Sequence, residues 1–175
     1  MDYVPILIRQ DTKSESQAVL SVITEAFKDP RVGQLICNLR ASTYFNPQLS
    51  VVATRNDEIV GYALYFPVMV QDVGQATKAV HMAPIAVRNV EERQGIGERL
   101  VRHGMQRAHS LGYETVLVLG PVEYFSSFGF EKAETLGFKA NLPFLSEYFL
   151  VHMMRPELHG VVKGVVLYPP RTFSS

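Results

Sequence analysis

Arg93-Gln94-Gly95-Ile96-Gly97-Glu98 sits between a short apolar run, Ala83-Pro84-Ile85-Ala86-Val87, and an amphipathic run that opens at Glu98. Strand, glycine-containing loop and helix N-terminus, in that order, make an anion site. The first N–H groups of a helix have no internal acceptor and point outward, and the aligned peptide dipoles add partial positive charge there. Glycine lets the backbone bend and lets a phosphate approach without a Cβ in the way. The stretch therefore predicts a phosphate-bearing ligand. A dinucleotide loop needs a third glycine three residues after the second, and that position is Leu100. A triphosphate loop ends in Gly-Lys-Ser or Gly-Lys-Thr, and the chain has Gly97-Glu98-Arg99. The plainest reading of a lone Gly-x-Gly is a tight turn, so the flanks must decide.

Outward from this stretch, the composition narrows the partners. The chain has 175 residues, which suits one domain with a substantial core. Hydrophobic residues make up 47%, too many for a disordered chain. Seventeen basic and seventeen acidic residues cancel, leaving no global field to draw in nucleic acid or an anionic membrane. Cys37 is the only cysteine, so no internal disulfide forms. No run approaches the roughly 18–20 apolar residues of a membrane span. Met1-Asp2-Tyr3-Val4 lacks the basic start of a secretory signal. The expectation is a soluble cytoplasmic protein.

Ile6-Leu7-Ile8 reads as a short strand, and Asp11 to Ser16 supplies helix caps. Val19, Val22, Ile23, Ala26 and Phe27 recur at helical spacing, and Val32, Leu35, Ile36 and Leu39 mark a second helix holding Cys37. Leu49–Thr54 and Ile59–Val70 predict a hairpin turning at Asn56-Asp57, its second strand bent near Pro67. Gln71–Lys78 reads as a polar loop and Val80–Val87 as the next strand. The helix after the glycine loop buries Ile96, Leu100, Val101, Met105, Ala108 and Leu111, and Gly112 ends it. Val116-Leu117-Val118-Leu119 reads as a strand covered on both faces. Glu123–Phe128 suits one short helix stopped by Gly129. Later strands fall near Phe149–Met154 and Val165–Tyr168. The order β, α, α, β, β, β, α, β, α, β, β is that of a mixed α/β domain.

Pro84-Ile85-Ala86-Val87, Gln94-Gly95-Ile96-Gly97, Gly120-Pro121, Tyr124-Phe125-Ser126-Ser127-Phe128-Gly129-Phe130 and Leu167-Tyr168-Pro169-Pro170 together resemble the GNAT superfamily of N-acetyltransferases, in its YhbS-like branch. The likeness runs from about Ile6 to the C-terminus and is densest from residue 80 to 131. It implies the GNAT acyl-CoA N-acyltransferase fold over residues 1–175: an α/β domain whose mixed central sheet splays at the cofactor site, flanked by about four helices. Residues 155–175 would be a C-terminal extension packed on the domain. The resemblance implies acetyl-CoA as cosubstrate, no metal, and an amine acceptor, either a small molecule or a protein. An isologous homodimer is the default it carries. The backbone of Ile85, Ala86 and Val87 would align the pantetheine arm. The N–H groups from Arg93 through Gln94, Gly95, Ile96 and Gly97 to Glu98 would hold the pyrophosphate, with Arg93, Arg99 and Arg102 as candidates for added side-chain charge.

Two positions depart from the family pattern. Its loop usually starts with Gln or Arg where this chain has Glu92, and its thiolate-protonating tyrosine falls at Phe125. Phe125 has no acid proton, which leaves the adjacent Tyr124 or water as donor. His81 titrates in a useful range for a base. Glu25 and Asp29 carry charge suited to a cationic amine. His103, His109, His152 and His159 show no ligand spacing. Tyr44, Phe45, Tyr62, Tyr65 and Phe66 read as hairpin core. The expected activity is transfer of an acetyl group from acetyl-CoA to a primary amine by direct attack in a ternary complex. The alternative is a non-catalytic acyl-CoA-binding sensor or scaffold, which Phe125 and Glu92 favour. A nucleotide-binding protein of another class is disfavoured by both failed phosphate-loop patterns.

Overall fold

The computed structural model describes residues 3–169 and Thr172. Pro170, the last residue quoted for the resemblance, lies outside the described residues, as do Met1 and Asp2. The chain forms two compact units. One comprises the residues up to Tyr65 together with Ala83–Arg107, and the other comprises Phe66–Met82 together with the chain from Ala108 onward.

The first unit opens with β1 (Leu7–Gln10), α1 (Ser16–Ala26) and α2 (Pro30–Ala41). Thr12 and Glu15 start the helical stretch: the Thr12 N–H donates to Glu15 Oε1 at 2.8 Å. The Arg9 guanidinium grips the same carboxylate at 2.7 and 2.9 Å and holds it down to about 2. Asp29 caps α2, accepting from the Arg31 N–H at 2.9 Å, with Pro30 at the first helical position. β2 (Ser50–Arg55) and β3 (Glu58–Asp72) form a hairpin. Asn56 and Asp57 have φ of 52° and 63°, the left-handed pair that a two-residue turn of matching twist requires. β1 pairs antiparallel with β2. β5 (Ala86–Val87) pairs antiparallel with β3 at Gly61 and Tyr62.

Both faces of this sheet are covered, so its strands read as continuous apolar runs. On one face lies α3 (Ile96–Ser110), with Ile96, Leu100 and Val101 buried. A Cβ on Gly61 would stand 3.0 Å from Leu100 Cδ1 and 3.2 Å from Ile96 Cγ2. On the other face Arg40 of α2 donates from Nη1 to Ser50 Oγ and Tyr62 Oη, each at 2.9 Å. Buried Asp11 places Oδ2 2.9 Å from the same Nη1. Both Nη1 hydrogens go to the two hydroxyls, so the carboxylate atom receives charge compensation without an aligned hydrogen bond.

The second unit is built on β4 (Gln75–Met82), β6 (Thr115–Leu119) and β9 (Phe149–Met153). β4 and β6 are parallel, β6 and β9 antiparallel, and β7 (Glu131–Lys132) extends β9. β8 (Phe138–Ala140) pairs parallel with β10 (Gly164–Leu167), which pairs antiparallel with β3 over Met69–Gln71. The sheet is therefore mixed. Between β6 and β7 lies α4 (Val122–Phe125), continued by one 3₁₀ turn over Ser126–Phe128 and closed by Gly129 at φ 91°. No helix among the described residues is long and apolar enough to cross a membrane.

Four expectations change. The polar stretch Gln71–Lys78 is not a loop: β3 runs through Asp72, β4 starts at Gln75, and only Val73-Gly74 turns. Its side chains are polar because this end of the hairpin is largely exposed. The strand expected over Val80–Val87 divides, with Ala83–Ile85 outside any ladder; Pro84 has no N–H to give one. The helix after the glycine loop begins at Ile96, two residues before Glu98. β7 and β8 lie where no strand was expected; two or three residues carry no readable alternation.

Gly104 is the closest point of α3 to β3. A Cβ there would lie 2.0 Å from Tyr65 Cε2, on a ring with no exposure whose hydroxyl donates to the Val101 carbonyl at 2.8 Å. In an open helix Gly→Ala stabilises by about 1 kcal/mol. Here the ring cannot swing clear, and overpacking outweighs that gain. Gly104→Ala is expected to cost about 2 kcal/mol net in urea unfolding; a raised midpoint would contradict the close approach.

Candidate functional site

In the first unit the candidate residues lie on one continuous segment. Ala83 donates its N–H to the Leu64 carbonyl at 2.8 Å, and Arg88 to the Val60 carbonyl at 2.9 Å. Between them Ala86 and Val87 pair with β3, while Pro84 and Ile85 stand half-buried outside the ladder. After a 3₁₀ turn over Asn89–Glu91 the chain reverses. Arg93 has φ 63° and Gly95 φ 76°. For arginine the left-handed region is strained by about 1 kcal/mol or more, so the surroundings must enforce it. The Gly95 carbonyl accepts the Arg99 N–H at 3.1 Å and so closes the first turn of α3. The N–H groups of Ile96, Gly97 and Glu98 open the helix without an intrahelical acceptor, at the positive end of a 15-residue dipole.

Two guanidinium–carboxylate contacts pin this segment. Arg55, at the end of β2, places Nε 3.1 Å from Glu91 Oε2. It also donates from Nη1 to the Val4 carbonyl and from Nη2 to Gln94 Oε1, each at 2.8 Å. The Gln94 side chain is thereby committed to the scaffold, which leaves its backbone for a ligand. Arg88 Nε donates to Glu25 Oε2 at 3.0 Å, and the Asn89 N–H donates to Glu25 Oε1 at 3.2 Å. Glu25 therefore holds the loop entrance and is not a spare charge for an amine. Asp29 is likewise engaged, by the Arg31 backbone and guanidinium. Arg102 pairs with Glu98 at 3.0 Å, whereas Arg93, Arg99 and Glu92 are exposed and make no ion pair among the described residues. Sequence reading missed Arg55. It lies 39 residues from Gln94, and no local spacing links them.

In the second unit Tyr124 is 45% exposed and stacks edge-on against Phe125 and Phe128, with centroids 4.9 and 5.5 Å away. Phe125, one position on, is buried against Gly120; a Cβ on Gly120 would meet the Phe125 ring at 2.3 Å. The two neighbours therefore divide their roles, Phe125 packing inside and Tyr124 presenting its ring outside. A shallow cavity of about 380 Å³ beside Gly120 is lined by Leu119, Pro143, Phe144, Leu145 and Tyr148.

His81, the candidate base, is not open to a substrate. It lies near the end of β4, 2% exposed, with Nδ1 2.6 Å from the Tyr168 hydroxyl and its ring against Phe66, Tyr168 and Phe144. Burial holds the imidazole down to about 3 and pushes the Tyr168 phenol well up, so both stay neutral. A base so weak and so enclosed is poorly placed to deprotonate an amine. Among the described residues no group of three or more His, Cys, Asp or Glu side chains comes together as a metal cage.

Residues 7–133 match the family described as "Acetyltransferase (GNAT) domain". The protein named "Uncharacterized N-acetyltransferase YhbS" of Escherichia coli K12 is 29% identical over 164 residues, 93% of this chain and 96% of its own. The crystal structure of the Escherichia coli YhbS protein in complex with CoA has a TM-score of 0.90 at 27% identity, covering 100% of this chain and 95% of that one. A GNAT family acetyltransferase from Brucella melitensis, in complex with acetyl-CoA, shares the fold at TM-score 0.78 and 22% identity, covering 98% and 100%.

The His81 environment sets a pH dependence. The folded imidazole takes no proton until about pH 3, while the unfolded one does so near pH 6.5. Between those values the unfolded state binds more protons, so stability falls as pH drops. The slope from one such group is about 1.4 kcal/mol per pH unit. Between pH 6.5 and 5 the parent is expected to lose about 2 kcal/mol more than His81→Asn in urea unfolding. Equal losses would mean that His81 is protonated in the fold.

Proposed function

The chain belongs to the acetyltransferase (GNAT) family, and on that premise we propose that it transfers the acetyl group of acetyl-CoA to a primary amine, of a small molecule or a protein, by direct attack in a ternary complex. The observation that carries this reading is the turn from Arg93 to Glu98. Two left-handed residues there open the N-terminus of α3 to an anion. A pyrophosphate at these N–H groups is favoured by the dipole and needs no dedicated side chain. The Glu92 carboxylate opposes it weakly, being exposed and solvent-screened. The backbone of Ile85, Ala86 and Val87 is proposed to align the pantetheine arm, with an N–H of that stretch meeting the thioester oxygen as charge develops on it.

The chemistry requires little more. The amine nitrogen, as free base, attacks the thioester carbon, the C–S bond breaks, the nitrogen loses a proton and the departing thiolate gains one. A thiol pKa near ~8.5 makes that sulfur a tolerable leaving group, so positioning supplies most of the rate. Tyr124 is proposed as the thiolate's proton donor, because Phe125 has no hydroxyl and its ring is packed away. The same Phe125 favours a second reading, an acyl-CoA binder without turnover. Free-thiol release from acetyl-CoA across amines, amino acids and peptides separates the two: binding without release on every acceptor leaves only the second.

Gly97→Asp would set a carboxylate against the phosphates. Asp also suits a helix N-terminus, so the variant should fold. By calorimetry acetyl-CoA affinity is expected to fall about 100-fold or more; unchanged affinity would remove the site from Arg93–Glu98. Tyr124→Phe is expected to lower kcat about 10²-fold with little change in KM for acetyl-CoA, the pattern of an interaction made only in the transition state. An unchanged kcat would leave water as the donor.

A further inference from the structure

A second cavity, of about 500 Å³, opens in the first unit between the N-terminal half of α1, the C-terminal half of α2 and the segment that follows α2. The mechanism uses none of its residues. Its volume falls in the range of small-molecule sites. Leu20, Ile23, Ile36, Phe45 and Pro47 make an apolar wall, and Lys13, Ser16, Gln17 and Arg40 add polar groups. The lining holds two cations and no carboxylate. Glu15 nearby is consumed by Arg9, and Asp11 is buried against Arg40. Lys13 has no ion pair among the described residues.

Arg40 is built into this wall. It stacks on Phe45 and Tyr62 at 5.3 and 5.7 Å, and its Nη1 is anchored by Ser50, Tyr62 and Asp11. Its Nη2 donates to Ser16 Oγ at 3.2 Å. A guanidinium carries five N–H donors. Nε–H and one Nη2 hydrogen have no acceptor among the described residues. An oriented cation with donors in reserve, a second exposed cation at the rim and an apolar wall form one pattern of recognition.

We propose that this cavity binds a small organic monocarboxylate whose apolar body is the size of a phenylpropyl or octyl group. The carboxylate meets Arg40 and Lys13, and the body lies along Leu20, Ile36 and Phe45; the Ser16 hydroxyl is already spent, donating to the Lys13 carbonyl at 3.0 Å and accepting from Arg40. An uncharged ligand of the same shape leaves Lys13 without an ion pair and the spare Arg40 donors without an acceptor, and a polyanion has only these two cations to meet it. Along α1 the cavity spans Ser16 to Ile23, and the following turn carries Glu25, which holds Arg88 and Asn89. The binding does not depend on the acetyl-CoA reading.

Cys37 reports on occupancy directly, since it lines the cavity, is exposed and is the only cysteine of the chain. The experiment follows alkylation of Cys37 by iodoacetamide in the full chain, without acetyl-CoA, against rising 3-phenylpropionate, octanoate and the neutral 3-phenylpropan-1-ol. Either acid at ten times its Kd is expected to slow alkylation about tenfold, while the alcohol protects far more weakly. Lys13→Glu, at an exposed position, should weaken acid binding about five- to tenfold and leave the alcohol unaffected. Ala41→Trp, which fills the cavity from its exposed rim, should abolish protection; circular dichroism confirms that both variants fold. No protection by either acid at millimolar concentration overturns the site. Equal protection by acid and alcohol overturns the assignment of an anion. Acid protection that survives Ala41→Trp places the ligand elsewhere and overturns it as well.

Discussion

The contact between α3 and β3 is the constraint on which the first unit depends. Gly61 on the strand and Gly104 on the helix each give up a side chain so that the two backbones come close, with the Tyr65 ring wedged between Gly104 and the Val101 carbonyl. A helix held so tightly along its length has little freedom to translate or tilt. Its N-terminus, and with it the run of N–H groups from Ile96 to Glu98, is therefore fixed by packing at Ile96 and Leu100 and again at Gly104, in addition to the contacts that pin the preceding loop. Preorganisation of this kind costs nothing at the moment a ligand arrives.

The two units achieve rigidity by different means. In the first, arginines do much of the joining: Arg9, Arg40, Arg55 and Arg88 each reach a carboxylate, and all but Arg9 also tie together elements distant in sequence. The planar guanidinium suits this, since one group satisfies several acceptors at once. In the second, rings do the joining. Phe125, Phe128 and Phe130 form one cluster, and Phe66, His81, Phe144 and Tyr168 another. Replacement of one arginine partner would leave a charge only partly solvated, whereas loss of one ring would leave a void.

Elements with a strong helical period or a dense run of β-formers were legible from the sequence. The β-forming run Leu49–Thr54, the helical spacing from Val19 to Ala26 and the amphipathic pattern after Gly97 all correspond to observed elements. Boundaries set by tertiary contact were not. The Gln75–Lys78 end of β4 is polar because it is mostly exposed, and only pairing makes it a strand. His81 looked available because its cover, Tyr168, lies 87 residues away. The candidate loop was legible because glycine and helix-start chemistry are local. Arg55 was not, because nothing near it in the chain names Gln94 as its partner. Tyr124 and Phe125 could be told apart only by burial, which a four-residue helix does not announce.

The route of the chain has a further consequence for its synthesis. It passes from one unit to the other at Tyr65-Phe66, returns at Met82-Ala83 and leaves again at Arg107-Ala108. Neither unit is a contiguous stretch, so neither can be excised by a single cut. On the ribosome β2 and the first half of β3 emerge without the helix that covers one face of them, since α3 begins only at Ile96. β4 emerges without its parallel neighbour β6. Nascent chains of intermediate length thus carry bare apolar strands, the species that holdase chaperones recognise and that aggregation competes for. A pause in translation while these strands stand bare would lengthen that exposure.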